Sequence, residues 1–158
     1  MATALLRRIR VLLAIFVAGL VASGATSIPL ETEMRALTSW VGSDSATGAW
    51  LARIRDALIE TNARFPFLAY GTDWLAFGHF AIAIAFLGPL RDPVKNAWVV
   101  DFGMIACALV IPYAMIFGAV RGIPIGWRLV DCSFGVIGLV PLALARRSIR
   151  QLEAISAA

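Results

Sequence analysis

Asp73, His79, Arg121, Arg128 and Asp131 stand in or beside long apolar stretches of this chain. In hydrocarbon an ionisable side chain is costly, so it pairs, finds a backbone carbonyl or lines a wet cavity. Arginine presents a planar fork that matches carboxylate or phosphate oxygens. Histidine exchanges a proton near neutral pH. Brought together, these five would suit an anionic lipid headgroup or a phosphate-bearing small molecule. The competing reading is internal: Arg121 or Arg128 bonds Asp73 or Asp131, His79 donates to a nearby carbonyl, and the group only holds helices together. One histidine makes no metal site alone. His79 with Asp73 and Asp131 would supply three ligands, but no local spacing signals it, so no metal or cofactor is expected.

These residues need elements that bring them to one face. The composition, 60% hydrophobic and 15% charged, is too apolar for a water-facing globule, where roughly 25% of residues are charged. It fits an all-α membrane protein, a four-transmembrane-helix bundle in a single domain. The apolar segments run over about 11–30, 74–90, 97–120 and 127–145, near the roughly 20 residues that span a bilayer. The first has a rival reading as a signal peptide, with an apolar core from Val11 to Ala22 and a small-residue cleavage region at Ser23-Gly24-Ala25. Pro112 is expected to kink the third segment. Between the first two lies a polar region, Glu31 to Asp73. There Trp50, Leu51, Ile54 and Leu58 recur at helical spacing, which predicts an external amphipathic helix over about 46–62. Asp44 or Ser45 would cap it and Pro66 would help to end it.

Basic residues cluster at Arg7, Arg8 and Arg10, at Arg91 and Lys95, and at Arg146, Arg147 and Arg150. By the positive-inside rule those flanks share the cytoplasmic side, so both termini are expected there, in a bacterial inner membrane. Asp73 and His79 then descend from the outer face, roughly 9 Å apart along a helix. Arg128 and Asp131 do the same in the fourth segment, with Arg121 at the end of the third. Small residues predict tight crossings. Gly135 and Gly138 share a face with Asp131, and Gly78, Ala81, Ala85 and Gly88 form a stripe on the second segment. Those two segments are expected to cross closely. Asp101 is expected to bond Arg91, Lys95 or Arg146.

Other classes fall away. The net charge of +4 comes without the basic and aromatic interleaving of a nucleic-acid groove. Cys107 and Cys132 lie in no CxxC or Cys/His spacing and read as small apolar packing residues. No GxSxG, phosphate loop or HExxH occurs.

The residues resemble the VanZ-like family of small membrane proteins. The likeness rests on Asp73-Trp-Leu-Ala-Phe-Gly-His79-Phe80 and on Arg128-Leu-Val-Asp131-Cys-Ser-Phe-Gly135-Val-Ile-Gly138. A basic-flanked first helix and an extended outer region match as well. The chain departs from the family in four ways. The spacing from Asp73 to His79 is longer, and Trp74 replaces a usual lysine. Ala114 to Gly118 lack the acidic residue and glutamine of the third helix, and Gly135 replaces an asparagine. What the resemblance implies is an accessory role in the cell envelope, a family associated with resistance to glycopeptide antibiotics such as teicoplanin. The leading expectation is thus an envelope protein binding an anionic lipid or lipid-linked envelope precursor. A structural subunit of a larger membrane complex is second. An envelope-lipid-modifying enzyme with His79 as general base is third, because no nucleophile is evident.

Overall fold

The computed structural model describes residues 2–156, and among them every regular element is helical. They are α1 (Ala2–Ser27), α2 (Leu30–Val41), α3 (Ala46–Arg64), a 3-10 turn (Pro66–Ala69), α4 (Tyr70–Ala85), α5 (Leu87–Arg91), α6 (Ala97–Val120) and α7 (Ile125–Ser156). Four stretches are long and apolar enough to cross a membrane: Ala2–Ser27, Pro66–Arg91, Ala97–Val120 and Ile125–Ile155. This is the expected all-α membrane protein. The described residues fall into two compact units, one made of α1 up to Gly19 with everything from Ala83 onward, the other Leu20–Ile82.

The first unit is built on α6 and α7. Its buried residues include Ile9 and Leu13 of α1, Val99 and Val100 of α6, and Leu142, Ala145 and Ile149 of α7. Phe86, fully buried, joins them from the break between α4 and α5. That break has a cause in the sequence. Proline cannot donate to the carbonyl four residues back and its ring clashes there, so Pro89 ends α4 at Ala85. The second expected segment is therefore two helices, not one. α6 runs from Ala97 to Val120, as expected, and stays helical across Pro112. α7 continues past the expected end at Ala145 because arginines end a hydrophobic run without ending a helix. Leu142, Ala145, Ile149 and Leu152 keep an apolar face buried through that extension.

Arg146 is paired where the extension begins. Its Nε lies 2.7 Å from Asp101 Oδ1 of α6, and its Nη1 lies 3.6 Å from Glu153. Of the three partners expected for Asp101, Arg146 is the one used. Its side chain is only 18% exposed, so removing Asp101 strands a half-desolvated charge. Asp101→Ala is expected to cost about 1–3 kcal/mol, read as a lower melting temperature in detergent. Asp101→Glu, which can re-form the pair, should cost less.

The second unit contains an element the hydropathy reading missed. α1 stops at Ser27, Pro29 sits at the start of α2, and Leu30–Val41 is a helix rather than loop. Glu31 and Arg35 form an i, i+4 pair at 2.8 Å, which favours helix. α3 covers the expected amphipathic helix, and Ser45 caps it by accepting from the Gly48 amide at 3.0 Å. The two helices are tied at both ends. Asn62 donates to Glu31 at 2.7 Å, and Arg55 reaches Thr38 at 3.5 Å. α3 is thus one arm of a helical hairpin whose turn uses Gly42 at φ +73°.

Candidate functional site

The five anticipated residues divide between the units: Arg121, Arg128 and Asp131 in the first, Asp73 and His79 in the second. In the first unit the site is the turn from α6 to α7. Gly122 takes φ +68°, which only glycine adopts at no steric cost. The Gly122 amide donates to Ala119 at 3.1 Å and the Ile123 amide to Gly118 at 2.8 Å, a Schellman end that satisfies the last carbonyls of α6. The Pro124 carbonyl then accepts from the Trp127 and Arg128 amides as α7 begins.

Arg128 clasps this turn. Its Nε donates to the Ile123 carbonyl at 2.7 Å. Its methylenes lie across Gly118, where a Cβ would come within 2.7 Å of Arg128 Cγ and Cδ. The guanidinium is therefore oriented by backbone and held by packing. Among the described residues no carboxylate pairs with it. Asp131, one turn further along α7 and half-buried, has no hydrogen-bond or ion-pair partner among them either. Arg121 is exposed at the C-cap of α6, where a cation complements the helix dipole. The pairing of Arg121 or Arg128 with Asp131, weighed from the sequence as the internal alternative, is not formed. Arg128's terminal nitrogens have no hydrogen-bond partner among the described residues, and Arg121 adds a second cation to the same turn.

The glycines of α7 have a different neighbour from the one expected. A Cβ on Gly135 would overlap the Cys107 carbonyl oxygen, and one on Gly138 would meet Cys107 Sγ at 3.0 Å and the Phe16 ring at 3.2 Å. They pack α7 on α6 and α1. The stripe on the second segment divides between the two units. Gly78 has nothing within 4 Å, Ala81 and Ala85 are exposed, and Gly88 faces Asn96. The buried residues of α4 are Ala76 and Ala83. Close approach at α4 is made instead by Gly24 of α1, whose Cβ would come within 3.1 Å of Phe80, His79 and Ala76.

In the second unit His79 is fully engaged. Its Nδ1 lies 2.8 Å from the Leu75 carbonyl, which can only accept, so Nδ1 carries the proton. Nε2 shares a hydrogen bond with the Ser23 hydroxyl of α1 at 3.3 Å. Donation to a nearby carbonyl is what the internal reading of His79 required. A serine hydroxyl on an imidazole is also half of an acyl-transfer arrangement. Here the amides of Ser23 and Gly24 lie inside α1, where helical bonding uses them. The geometry is that of a polar clasp between α1 and α4. Ser23 was visible in the sequence only as a small residue near a cleavage signal. Its pairing with a small neighbour, Gly24, in an apolar helix was the available cue to close approach. Asp73 is exposed near the start of α4 and has no side-chain partner among the described residues. Those residues also hold no group of three or more histidine, cysteine or acidic side chains placed to bind a metal. Compared with protein-family models, curated proteins and solved structures, the chain matches none.

Proposed function

We propose that this protein binds the anionic group of a lipid or lipid-linked envelope molecule at the α6–α7 turn, in an accessory role. One observation carries the reading: the Arg128 guanidinium is fixed by the Ile123 carbonyl and Gly118, yet no carboxylate among the described residues pairs with it. Binding groups that are oriented before the ligand arrives lose little entropy on binding it. Arg121 adds a second positive charge, and Asp131 remains available to orient either arginine or a ligand hydroxyl. The distribution of basic flanks supports an outer position for this turn and a bacterial plasma membrane with both ends inside. The VanZ-like resemblance, carried by Arg128, Asp131, Gly135 and Gly138 with Asp73 and His79, supports an envelope role.

Native mass spectrometry of detergent-purified protein, exchanged with phosphatidylglycerol or phosphatidylcholine, tests this directly. Phosphatidylglycerol is expected to be retained preferentially. Arg128→Gln should weaken that retention about tenfold, the size of a lost charge-assisted hydrogen bond. Equal retention of phosphatidylglycerol by a folded Arg128→Gln protein would sink the reading. Stoichiometric co-purifying subunits with no lipid preference would favour the structural alternative.

A further inference from the structure

A separate cavity of about 350 Å³ opens in the second unit, between the start of α2, the end of α3, the 3-10 turn and the start of α4. Its size lies at the small end of the roughly 300–1,000 Å³ range of ligand sites. Its walls carry Glu31, Asn62 and the threonines Thr32, Thr61 and Thr72, beside apolar residues such as Leu58. No lysine or arginine lines it.

The polar chemistry is one-sided. Asn62 donates its amide nitrogen to Glu31, leaving its carbonyl oxygen as an acceptor. Thr72 donates to the Ala69 carbonyl, so its oxygen too is left to accept. Glu31 is held ionised: the Asn62 amide first, and then the Arg35 guanidinium, keep its carboxyl below the ordinary 4.5. Glu31 Oε1 takes both Arg35 nitrogens, at 2.8 and 2.9 Å, whereas Oε2 has only the Asn62 donor and keeps a further lone pair. The cavity is a set of acceptors around one carboxylate. It lies beside Ile28, just after the first membrane-length helix ends, and beside Leu68 and Ala69, where the second begins. The ends of membrane-length helices are where a chain that crosses the bilayer meets the headgroup region.

We propose that this cavity binds a primary ammonium group, presented by a phospholipid headgroup, through Glu31, Asn62 and the threonine hydroxyls. Three N–H donors meet three or more acceptors there, and the acyl-proximal part of the lipid rests on Leu58. A quaternary ammonium carries the same charge but has no N–H to give. The proposal is independent of the arginine turn.

Phosphatidylethanolamine and phosphatidylcholine of matched chains are therefore the probes. Their competition for the full-length protein in mixed micelles can be read by native mass spectrometry. Phosphatidylethanolamine should be preferred roughly tenfold, as expected for charge-assisted hydrogen bonds that choline cannot make. Glu31→Gln should bring the two to parity, while Glu60→Gln, an exposed carboxylate outside the cavity, should leave the preference intact. Since Glu31 also joins α2 to α3, Ala69→Phe gives a second variant, one that fills the cavity and spares those bonds. It too should abolish the preference. Free ethanolamine separates the sources: if it displaces the lipid at millimolar concentration, the site belongs to a soluble amine, and if not, to the headgroup. Equal binding of the two lipids by the unaltered protein would overturn the proposal. So would a preference that survives both variants.

Discussion

Gly135→Val is expected to separate α6 from α7 and to destabilise the first unit by about 3 kcal/mol or more, at or beyond the top of the usual range for overpacking. The obstacle is backbone. A Cβ at residue 135 overlaps the Cys107 carbonyl oxygen and also lies 3.2 Å from Val110 Cβ, so no flexible side-chain end can move aside. The helices must part, and parting takes the Gly138 contact with Cys107 Sγ along with it. It also lengthens the Cys132 Sγ contact to the Ile111 carbonyl, which stands at 3.8 Å. In lipid, close fit rather than hydrophobic exclusion drives helices together, so lost fit has no compensation. Gly78→Val is the internal control. Nothing lies within 4 Å of a Cβ there, and its cost should stay under about 1 kcal/mol. Unfolding midpoints in detergent compare the two variants. Equal midpoints would refute the packing argument.

The sequence announced some of these features and hid others for physical reasons. α6 was legible end to end because its hydrophobic run and its helix share boundaries, with Arg121 and Gly122 closing both. α3 was legible because Ser45 and Pro66 are local signals. Elsewhere solvent preference and helix boundaries part company. Arg146 and Arg147 mark the end of an apolar run while α7 continues to Ser156, with Arg146 paired to Asp101 and Glu153. The run to Leu30 hid the turn at Ile28-Pro29, and α2 was obscured because alternating Glu31, Glu33 and Arg35 read as loop. The candidate site was half legible. Residue type marked Arg128 and His79, but their partners are the Ile123 and Leu75 carbonyls and the Ser23 hydroxyl. Backbone acceptors carry no sequence signature, so charge pairing was the only partnership the sequence could suggest.

Phe86→Ala should be the other severe substitution, costing about 3–5 kcal/mol by comparison with buried phenylalanines elsewhere. The residue has no exposure and occupies the junction of α4 and α5. Its ring lies 4.8 Å from that of Phe16 and fills the hollow above Gly103. A Cβ on Gly103 would come within 2.7 Å of Phe86 Cζ and 2.9 Å of Leu142 Cδ1. Both atoms are side-chain ends, unlike the carbonyl that confronts Gly135. Gly103→Ala alone should therefore cost about 1–3 kcal/mol through crowding. Phe86→Leu alone should cost a similar amount through a void. Combined, the added methyl occupies the space the ring gave up, so the double variant should be more stable than the sum of the two losses. The coupling should reach about 1 kcal/mol, within the range for residues in direct contact. Additive losses would mean that Phe86 does not fill the space above Gly103, and the break after Ala85 would then owe its place to Pro89 alone.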